Sequence, residues 1–295
     1  ILEDLLRTAK AMQSLRKRVK PSLLEILQKM ADAAYSLEDG MGQTPLFNDA
    51  GDNVARPLPG LLAVLEKSFG IVPKQQMSFP EAGYYCLRDT DKKLVFDAGE
   101  MAPDYMPGHA HCDGLSFELS WKGRPLFVNA GTGQYQGALR PYFRSTMAHN
   151  TVVIKGEEQS DCWGEHRVGR RIREVTGDGD GSLVRGSLVT ASGRVQKRSV
   201  KFAGDQVVIC DEVSGQADGY LHLAPEYQYV QQGEKILVQS RTDDAEVICE
   251  IKLEENDRRE IFTTGNICAY APEFGRILQM QVLKISWEGD GSAHR

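Results

Sequence analysis

The sequence predicts a mainly β protein, a large antiparallel β-sandwich preceded by a few helices. Up to about residue 70, apolar residues recur at helical spacing. From about residue 78, short apolar runs alternate with turns rich in Gly and Asp, and no long helical pattern separates them. Strands that follow one another without intervening helices pair antiparallel, so we expect extended sheets that stack as a sandwich. A hydrophobic content of 41% allows a substantial buried core.

Three amphipathic helices are predicted at the beginning of the chain. The apolar spacing covers residues 2–15, residues 22–37 and, more briefly, residues 60–69, with Pro21 between the first two. Each helix has a single apolar stripe and needs a partner surface. We therefore assign residues 1–72 to the end of a helical domain and residues 73–295 to the β domain.

The β domain is predicted from a series of short strand patterns. An Asp89-Thr90-Asp91-Lys92 segment indicates the first hairpin, and the run from Gly177 to Gly181 indicates a later turn. The predicted strands are residues 84–87, 94–96, 116–121, 125–128, 151–154, 172–175, 182–189, 195–202, 206–210, 220–223, 235–239, 245–253 and 276–285.

Charge and cysteine content exclude some classes of function. The formal net charge of −6 argues against a general nucleic-acid or membrane-surface binder. The six cysteines are scattered without metal-type spacing, and we expect buried free thiols, with one disulfide as the alternative. They are Cys86, Cys112, Cys162, Cys210, Cys249 and Cys268.

The candidate chemistry lies between residues 108 and 173, which contain four of the six histidines. His109 and His111 precede an apolar strand, and in extended backbone their side chains would point to the same side. Two converging imidazoles suit a metal ion or a pair of catalytic contacts. The alternative is two hydrogen-bonded histidines at a strand edge.

Arginines and a tyrosine in the same region suggest a site for an anionic sugar. A guanidinium group binds a carboxylate or sulfate through two parallel hydrogen bonds. Nearby Glu and Asp residues offset part of this charge, and solvated surface arginines are the alternative. The predicted substrate-binding residues are Tyr135, Arg140, Arg144 and Arg167, with Arg170 close by in the sequence.

Three long motifs resemble signatures of heparinase II/III-like proteins. They are Gly108-His109-Ala110-His111-x-Asp113-x-Leu115-Ser116-Phe117-Glu118-Leu119, the run from Tyr142 to Val153, and Gln159-Ser160 followed by Trp163-Gly164 and Arg167-Val168-Gly169. Phe47-Asn48-Asp49 also resembles the link that follows the family's helical toroid. The resemblance implies an incomplete α/α toroid followed by an antiparallel β-sandwich, with an acidic polysaccharide bound between them. It also implies β-elimination at a uronic acid.

The resemblance assigns roles to four residues of this chain. His109 resembles the sandwich histidine that reaches the catalytic cleft, and His111 and His149 resemble ligands of a structural metal, usually zinc. The third ligand in the family is an aspartate in an Asp-Pro-Gly stretch, which here reads Asn129-Ala130-Gly131. Because a neutral amide is a poorer zinc ligand than a carboxylate, this substitution weakens the expectation of bound zinc.

The resemblance also implies that the catalytic tyrosine and the group that neutralises the uronate belong to the toroid, upstream of Ile1. Tyr35 lies in an amphipathic pattern and is expected to pack, whereas Tyr135 and Tyr142 could line the cleft. We therefore expect this chain to be inactive on its own. The resemblance also implies a periplasmic or secreted location, which is usual for bacterial lyases of this type.

Two other functions remain open at this point. One is a family relative in surface-polysaccharide assembly, which would allow a cytoplasmic location. The other is a carbohydrate-binding β-sandwich without enzymatic activity.

Overall fold

The computed structural model describes residues 1–242, 244–254 and 257–294, and it begins with three helices. These are α1 (Leu2–Ser14), α2 (Pro21–Leu37) and α3 (Leu58–Phe69). Pro21 stands in the first turn of α2, where its missing N–H has no helical partner to lose. Gly70 ends α3 in a left-handed conformation. The three predicted helices are confirmed, with ends that differ by one or two residues.

The helices form a small core of their own. Leu6 and Ala9 of α1 pack with Leu27 and Ala31 of α2 and with Leu65 of α3. All five side chains are buried, so the single apolar stripe of each helix is used for this packing. No helix among the described residues is long and apolar enough to cross a membrane.

The rest of the described chain is mainly β. Its strands are β1 (Ser78–Phe79), β2 (Tyr84–Arg88), β3 (Lys92–Asp97), β4 (Phe117–Trp121), β5 (Arg124–Phe127), β6 (Val152–Ile154), β7 (Cys162–Trp163), β8 (Arg167–Val168), β9 (Arg173–Gly179), β10 (Leu183–Val189), β11 (Val195–Ala203), β12 (Gln206–Leu223), β13 (Tyr227–Gln232), β14 (Lys235–Ser240), β15 (Val247–Ile251), β16 (Arg258–Phe262), β17 (Ala269–Glu273), β18 (Arg276–Gln279) and β19 (Gln281–His294). A short helix, α4 (Arg140–Arg144), interrupts the series.

Twelve of these strands form one large antiparallel sheet in the order β1-β2-β3-β4-β5-β12-β11-β10-β9, with β6 and β19 on β12 and β16 on β19. Strands β13 to β15 form a separate three-stranded sheet, and β17–β18 and β7–β8 are two-stranded ribbons. The fold class predicted from the sequence, a mainly β protein with a large antiparallel sheet after a few helices, is confirmed.

Three sequence predictions about strands need correction. The predicted strands 206–210 and 220–223 belong to one continuous strand, β12, whose first part pairs with β11 and whose part from Asp211 onward pairs with β19, with a bulge between Glu212 and Ser214. The predicted strand 276–285 is divided at Met280 into β18 and the start of β19. The expected turn at residues 177–181 begins later, because Gly177 to Gly179 pair with β10.

Gly177 allows the two ends of the large sheet to meet. The Tyr85 hydroxyl in β2 donates a hydrogen bond of 2.8 Å to the Gly177 carbonyl in β9. A Cβ atom on Gly177 would lie 2.4 Å from the Tyr85 ring, so any side chain there would keep β9 away from β2. The sheet therefore curves back on itself around the main core.

The helices are joined to the sheet where α2 ends. Phe47 packs with Cys86 and Val95, and the Lys93 ammonium group lies 2.5 Å from the Glu38 carboxylate. The linking loop therefore lies against strands β2 and β3 of the large sheet. The boundary between residues 72 and 73 stays a prediction.

Candidate active site

Hydrogen bonds hold the loop after α2 against residues 108–113, which we call the histidine motif. Asn48 has a left-handed backbone, with φ 53°, and its side-chain Oδ1 accepts a hydrogen bond of 2.9 Å from the His111 backbone N–H. Its own backbone N–H donates a hydrogen bond of 2.7 Å to Asp113 Oδ2. Asparagine tolerates this conformation better than most residues. These two hydrogen bonds place the next residue, Asp49, directly against the histidines.

Asp49 connects four side chains of the β domain. Its Oδ2 lies 3.0 Å from His109 Nδ1, and its Oδ1 lies 2.8 Å from His111 Nε2. The Arg140 guanidinium group donates to both carboxylate oxygens, and Thr132 Oγ1 donates to Oδ1 at 3.0 Å. Burial alone would raise the pKa of Asp49, but the hydrogen bonds from His111 and Arg140 outweigh it and hold this pKa well below the ordinary value. Asp49 is therefore an ionised carboxylate.

The two predicted histidines contact the same carboxylate from different environments. The sequence predicted extended backbone at His109, but His109 ends a 3₁₀ turn, Pro107–His109. Its side chain is 57% exposed, whereas the His111 side chain is fully buried. His109 can therefore contact a ligand in solution, and His111 cannot without a change of structure.

An aromatic cluster surrounds the exposed face of His109. The Tyr135 ring lies 6.0 Å from the His109 ring and 5.9 Å from the His166 ring, and the two imidazoles are 6.5 Å apart. Phe274, at the tip of the β17–β18 ribbon, lies 5.3 Å from Tyr135 and is 64% exposed. The Arg140 guanidinium group packs against Tyr135, 5.2 Å from the ring centre. We call His109, Tyr135, His166 and Phe274 the aromatic cluster.

The predicted arginines differ in exposure. Arg140 and Arg144 are 1% exposed: the first holds Asp49, and the second donates to the carbonyls of Ala110 and Arg167. Arg170 is exposed and pairs with Asp161. Arg167 is exposed and, within the described ranges, forms no ion pair. Of the arginines predicted to bind substrate, Arg167 alone therefore presents its side chain to solvent.

A buried polar chamber lies behind Asp49. Ligand atoms of His111, Asp113 and His149 are all within 4.8 Å of one another. In the described structure, neither ring nitrogen of His149 has an aligned hydrogen-bond partner, and neither does His111 Nδ1. Burial lowers the pKa of His149 well below the ordinary value, so its imidazole is neutral. Unpaired imidazole nitrogens in a buried chamber are uncommon and need an explanation.

A comparison with known protein families identifies the family of this chain. The model for the C-terminal domain of heparinase II/III-like proteins matches residues 72–290, most of the chain. The chain belongs to the heparinase II/III-like family. The resemblance seen in the histidine and arginine motifs is thereby confirmed. No curated protein sequence matches the chain.

Solved structures of heparinases share this fold. A heparinase III matches 93% of this chain and 46% of its own, with a TM-score of 0.71 and 17% identity. A second heparinase III structure matches 100% of this chain and 51% of its own, with a TM-score of 0.71 and 17% identity. The heparan sulfate lyase HepC of Pedobacter heparinus matches 99% of this chain and 49% of its own, with a TM-score of 0.68 and 18% identity. The chain thus spans about half the length of these proteins, and at this identity the likeness concerns the fold.

The buried chamber fits the structural metal that the family resemblance implies. His111 Nε2 contacts Asp49, and among the described residues neither His111 Nδ1 nor either ring nitrogen of His149 has an aligned hydrogen-bond partner. Asp113 supplies a carboxylate within the same 4.8 Å group, and two histidines with a carboxylate are a donor set that zinc accepts. These residues would hold the ion.

Asn129 is placed less favourably for the ligand role predicted from the sequence. Its Oδ1 accepts a hydrogen bond of 3.1 Å from the Asn150 backbone N–H, and its Nδ2 is buried without a partner among the described residues. An amide binds a metal ion through its oxygen, and in Asn129 this oxygen already accepts the hydrogen bond from Asn150. Metal binding by Asn129 stays a prediction.

Sequence reasoning did not assign a role to Asp49, Asp113, His222 or Phe274. Asp49 and Asp113 lie within motifs that resemble the family, which was the available signal. His222 is fully buried near His149, and burial lowers its pKa to about 3. Phe274 lies in the turn between β17, which the sequence did not predict, and β18, and nothing in its local pattern indicated proximity to His109.

Proposed function

We propose that this chain supplies the β-domain half of a polysaccharide lyase site that cleaves a uronic-acid-containing polysaccharide by β-elimination. The family membership supports a relationship to lyases. The observation that carries the proposal is the exposed His109 imidazole of the aromatic cluster, held by an ionised Asp49. A buried carboxylate that orients an imidazole prepares it for hydrogen bonding and proton transfer.

His109 has the position required of a group that acts on the substrate. Its Nδ1 faces Asp49, so Nε2 is the nitrogen directed away from the protein contact. In elimination, the proton leaves carbon 5 and the glycosidic oxygen leaves carbon 4. In our proposal, His109 donates a hydrogen bond to, or exchanges a proton with, groups at this centre. Asp49 is a positioning residue because it acts through His109.

The exposed cationic and aromatic groups suit an acidic sugar chain. Arg167 and His166 lie on the β7–β8 ribbon, next to His109, and the exposed face of Phe274 extends the surface beyond Tyr135. A guanidinium group binds carboxylate or sulfate, and an aromatic face packs against the apolar face of a sugar ring. We propose Arg167 and Tyr135 as substrate contacts. Arg140 and Arg144 shape this surface from the interior.

Neither predicted cleft tyrosine is suited to be the base. Burial first, and then the charge of Asp49, raise the pKa of Tyr135. Tyr142 is buried, donates to the Ile267 carbonyl, and has a pKa raised well above the ordinary value by that burial. We therefore propose that the base belongs to another part of the whole protein, as the resemblance implies, and that this chain is inactive alone.

A zinc ion in the buried chamber would join the histidine motif to the segment around His149. It would supply structural cross-linking rather than a reacting group, because His111 and His149 are fully buried. The resemblance also leads us to propose a periplasmic or secreted location, where acidic polysaccharides are available.

The test uses the whole protein that contains this chain, with heparin, heparan sulfate, alginate and other polyuronates as substrates. We expect an absorbance rise from unsaturated uronate products, which His109→Ala abolishes while His294→Ala retains it. His294 is the matched control because it lies at the end of β19, in contact with Asp257 and Glu254. Binding of a polyuronate without product, by protein of native stability, would instead support a carbohydrate-binding module. No binding and no product would favour a role in polysaccharide assembly.

A further inference from the structure

Two thiols lie side by side beneath the candidate active site. Cys112 follows His111 directly, and its Sγ is 3.7 Å from Sγ of Cys162, the first residue of β7. The two residues are 50 positions apart in the sequence. Cys112 is buried and Cys162 is half-buried. A disulfide requires a sulfur separation of about 2.05 Å, which is a short movement from this contact.

The proximity of the two sulfurs is fixed by a separate connection. The Arg144 guanidinium group donates a hydrogen bond of 3.1 Å to the Ala110 carbonyl and one of 3.2 Å to the Arg167 carbonyl. Arg144 therefore bridges the segment that carries Cys112 and the ribbon that carries Cys162. Because Arg144 is 1% exposed, this bridge is protected from solvent.

Access to the pair is one-sided. Cys162 lines a cavity of about 160 Å³, together with Arg144, Glu158 and Trp163. Cys112 lies behind it and faces the Ser160 carbonyl, 3.4 Å away. Cys162 is therefore the thiol that an external disulfide reaches first.

We propose that Cys112 and Cys162 form a reversible disulfide that joins the histidine motif to the β7–β8 ribbon. With a low-molecular-weight disulfide such as oxidised glutathione as oxidant, the Cys162 thiolate attacks one glutathione sulfur and expels the other as glutathione thiolate. Cys112 then loses its proton and attacks Cys162 Sγ, which releases the second glutathione. Two protein thiols are oxidised, and one glutathione disulfide is reduced to two thiols.

The bond would fix one side of the aromatic cluster. His109 lies three residues before Cys112, and His166 lies at the end of the ribbon that begins with Cys162, with its Nδ1 3.4 Å from the Gly108 carbonyl. In the reduced protein, Arg144 and this contact hold the two segments together. In the oxidised protein, a covalent link does so, and the separation of His109 and His166 is then restricted.

The test equilibrates the folded protein with oxidised glutathione, followed by alkylation of remaining thiols under denaturing conditions and mass spectrometry. We expect the wild type to lose two alkylatable thiols and to yield a peptide pair joined through Cys112 and Cys162. Cys162→Ser should form no such link. Cys249→Ser, a half-buried cysteine of the separate sheet, should still form it.

A thermal readout separates a real bond from an analytical artefact. Oxidation should raise the Tm of the wild type and of Cys249→Ser and leave that of Cys162→Ser unchanged. We use Cys162→Ser for this comparison because Cys162 is only half-buried, so this variant should still fold. Cys112 is buried, and its substitution would disturb the core more. A stable glutathione adduct on Cys162 with Cys112 still alkylatable would overturn the proposal, and so would unchanged thiols or a link between other cysteines.

Discussion

Asp49 lies in the loop that follows α2, yet the structure connects it to residues 60 to 91 positions further along the chain. Its carboxylate accepts hydrogen bonds from Arg140 and contacts His109 and His111. Because Arg140 is almost fully buried, Asp49 is the charge that allows this guanidinium group to lie inside the protein. Both stability and the orientation of His109 depend on it.

Asp49→Asn should destabilise the protein by about 3–5 kcal/mol, because Arg140 is left buried without a counter-ion. Urea unfolding of the two proteins measures this difference. Asp104→Asn is the matched control, since Asp104 pairs with Arg171 at the surface and should change stability very little. Equal stability of Asp49→Asn and the wild type would contradict the role given to Asp49.

His149→Ala should abolish metal binding. We expect protein purified without chelator to carry about one zinc ion per chain, and removal of the ion to lower Tm because the ion cross-links distant segments. Elemental analysis of the purified protein measures the content. His166→Ala should retain the metal, since His166 is exposed and outside the chamber. Well-folded protein without metal, whatever the residue at 149, would refute this expectation.

Individual residues were only partly predictable from the sequence. His109, His111 and His149 stand in long motifs, so a functional role could be proposed from the chain alone. Their distinct environments could not be predicted from the sequence, since the exposure of His109 and the burial of His111 depend on Asp49 and Arg140. Arg144 illustrates the same limit: its guanidinium group is used by two backbone carbonyls inside the protein.

The segment 129–133 is held against β17 by backbone contact. Gly131 forms a parallel bridge with Ala271, and its φ is 72°. A Cβ atom there would lie 2.1 Å from the Ala271 carbonyl oxygen. The close approach positions the following segment, which carries Tyr135, beside the β17–β18 ribbon with Phe274 at its tip.

Gly131→Ala should therefore destabilise the protein by about 2–5 kcal/mol, from left-handed backbone strain together with overpacking. Gly156→Ala is a matched control, with φ 70° and no atom within 4 Å of its added Cβ. It carries the strain alone and should cost about 1–2 kcal/mol. Thermal or urea unfolding gives both values. Equal losses in the two variants would show that the contact with Ala271 is unimportant.

Phe274→Ala should weaken substrate binding more than turnover. The side chain is exposed and contacts Tyr135, and the hydrogen bonds of Asp49 with His109 and Arg140 do not involve it, so we expect its loss to remove sugar contact and leave those hydrogen bonds in place. We expect KM for a polyuronate to rise about five- to tenfold, corresponding to about 1 kcal/mol, with kcat nearly unchanged. Val247→Ala, an exposed apolar residue of the separate sheet, is the control. A loss confined to kcat would contradict a binding role.

Strands and helices were predictable where a local pattern was strong. The helices have clear apolar stripes, and strands β10 and β11 have regular alternation of buried and exposed residues. The short ribbon β7–β8 and strand β17 were missed, and β18 was predicted only as part of a longer strand, because tertiary contacts hold these residues in place. Phe274 and Cys162 belong to these ribbons, so their proximity to the site could not be predicted.

For the whole chain, the fold class and family followed from the sequence because helical and strand patterns occupy separate regions and the motifs are long. The curvature of the large sheet and its closure through Tyr85 and Gly177 required the structure, since residues far apart in the chain determine them. The site combines both regions: the carboxylate comes from the loop after the helices, and the imidazoles come from the β domain.

The masses of the products that the whole protein forms from a defined uronate-containing oligosaccharide distinguish elimination from hydrolysis. We predict two products whose masses sum to that of the substrate, with the unsaturated fragment one water lighter than its hydrolysis counterpart, and the loss of both products in His109→Ala. Products that have gained water, or unchanged product formation in His109→Ala, would contradict elimination at a site completed by this domain.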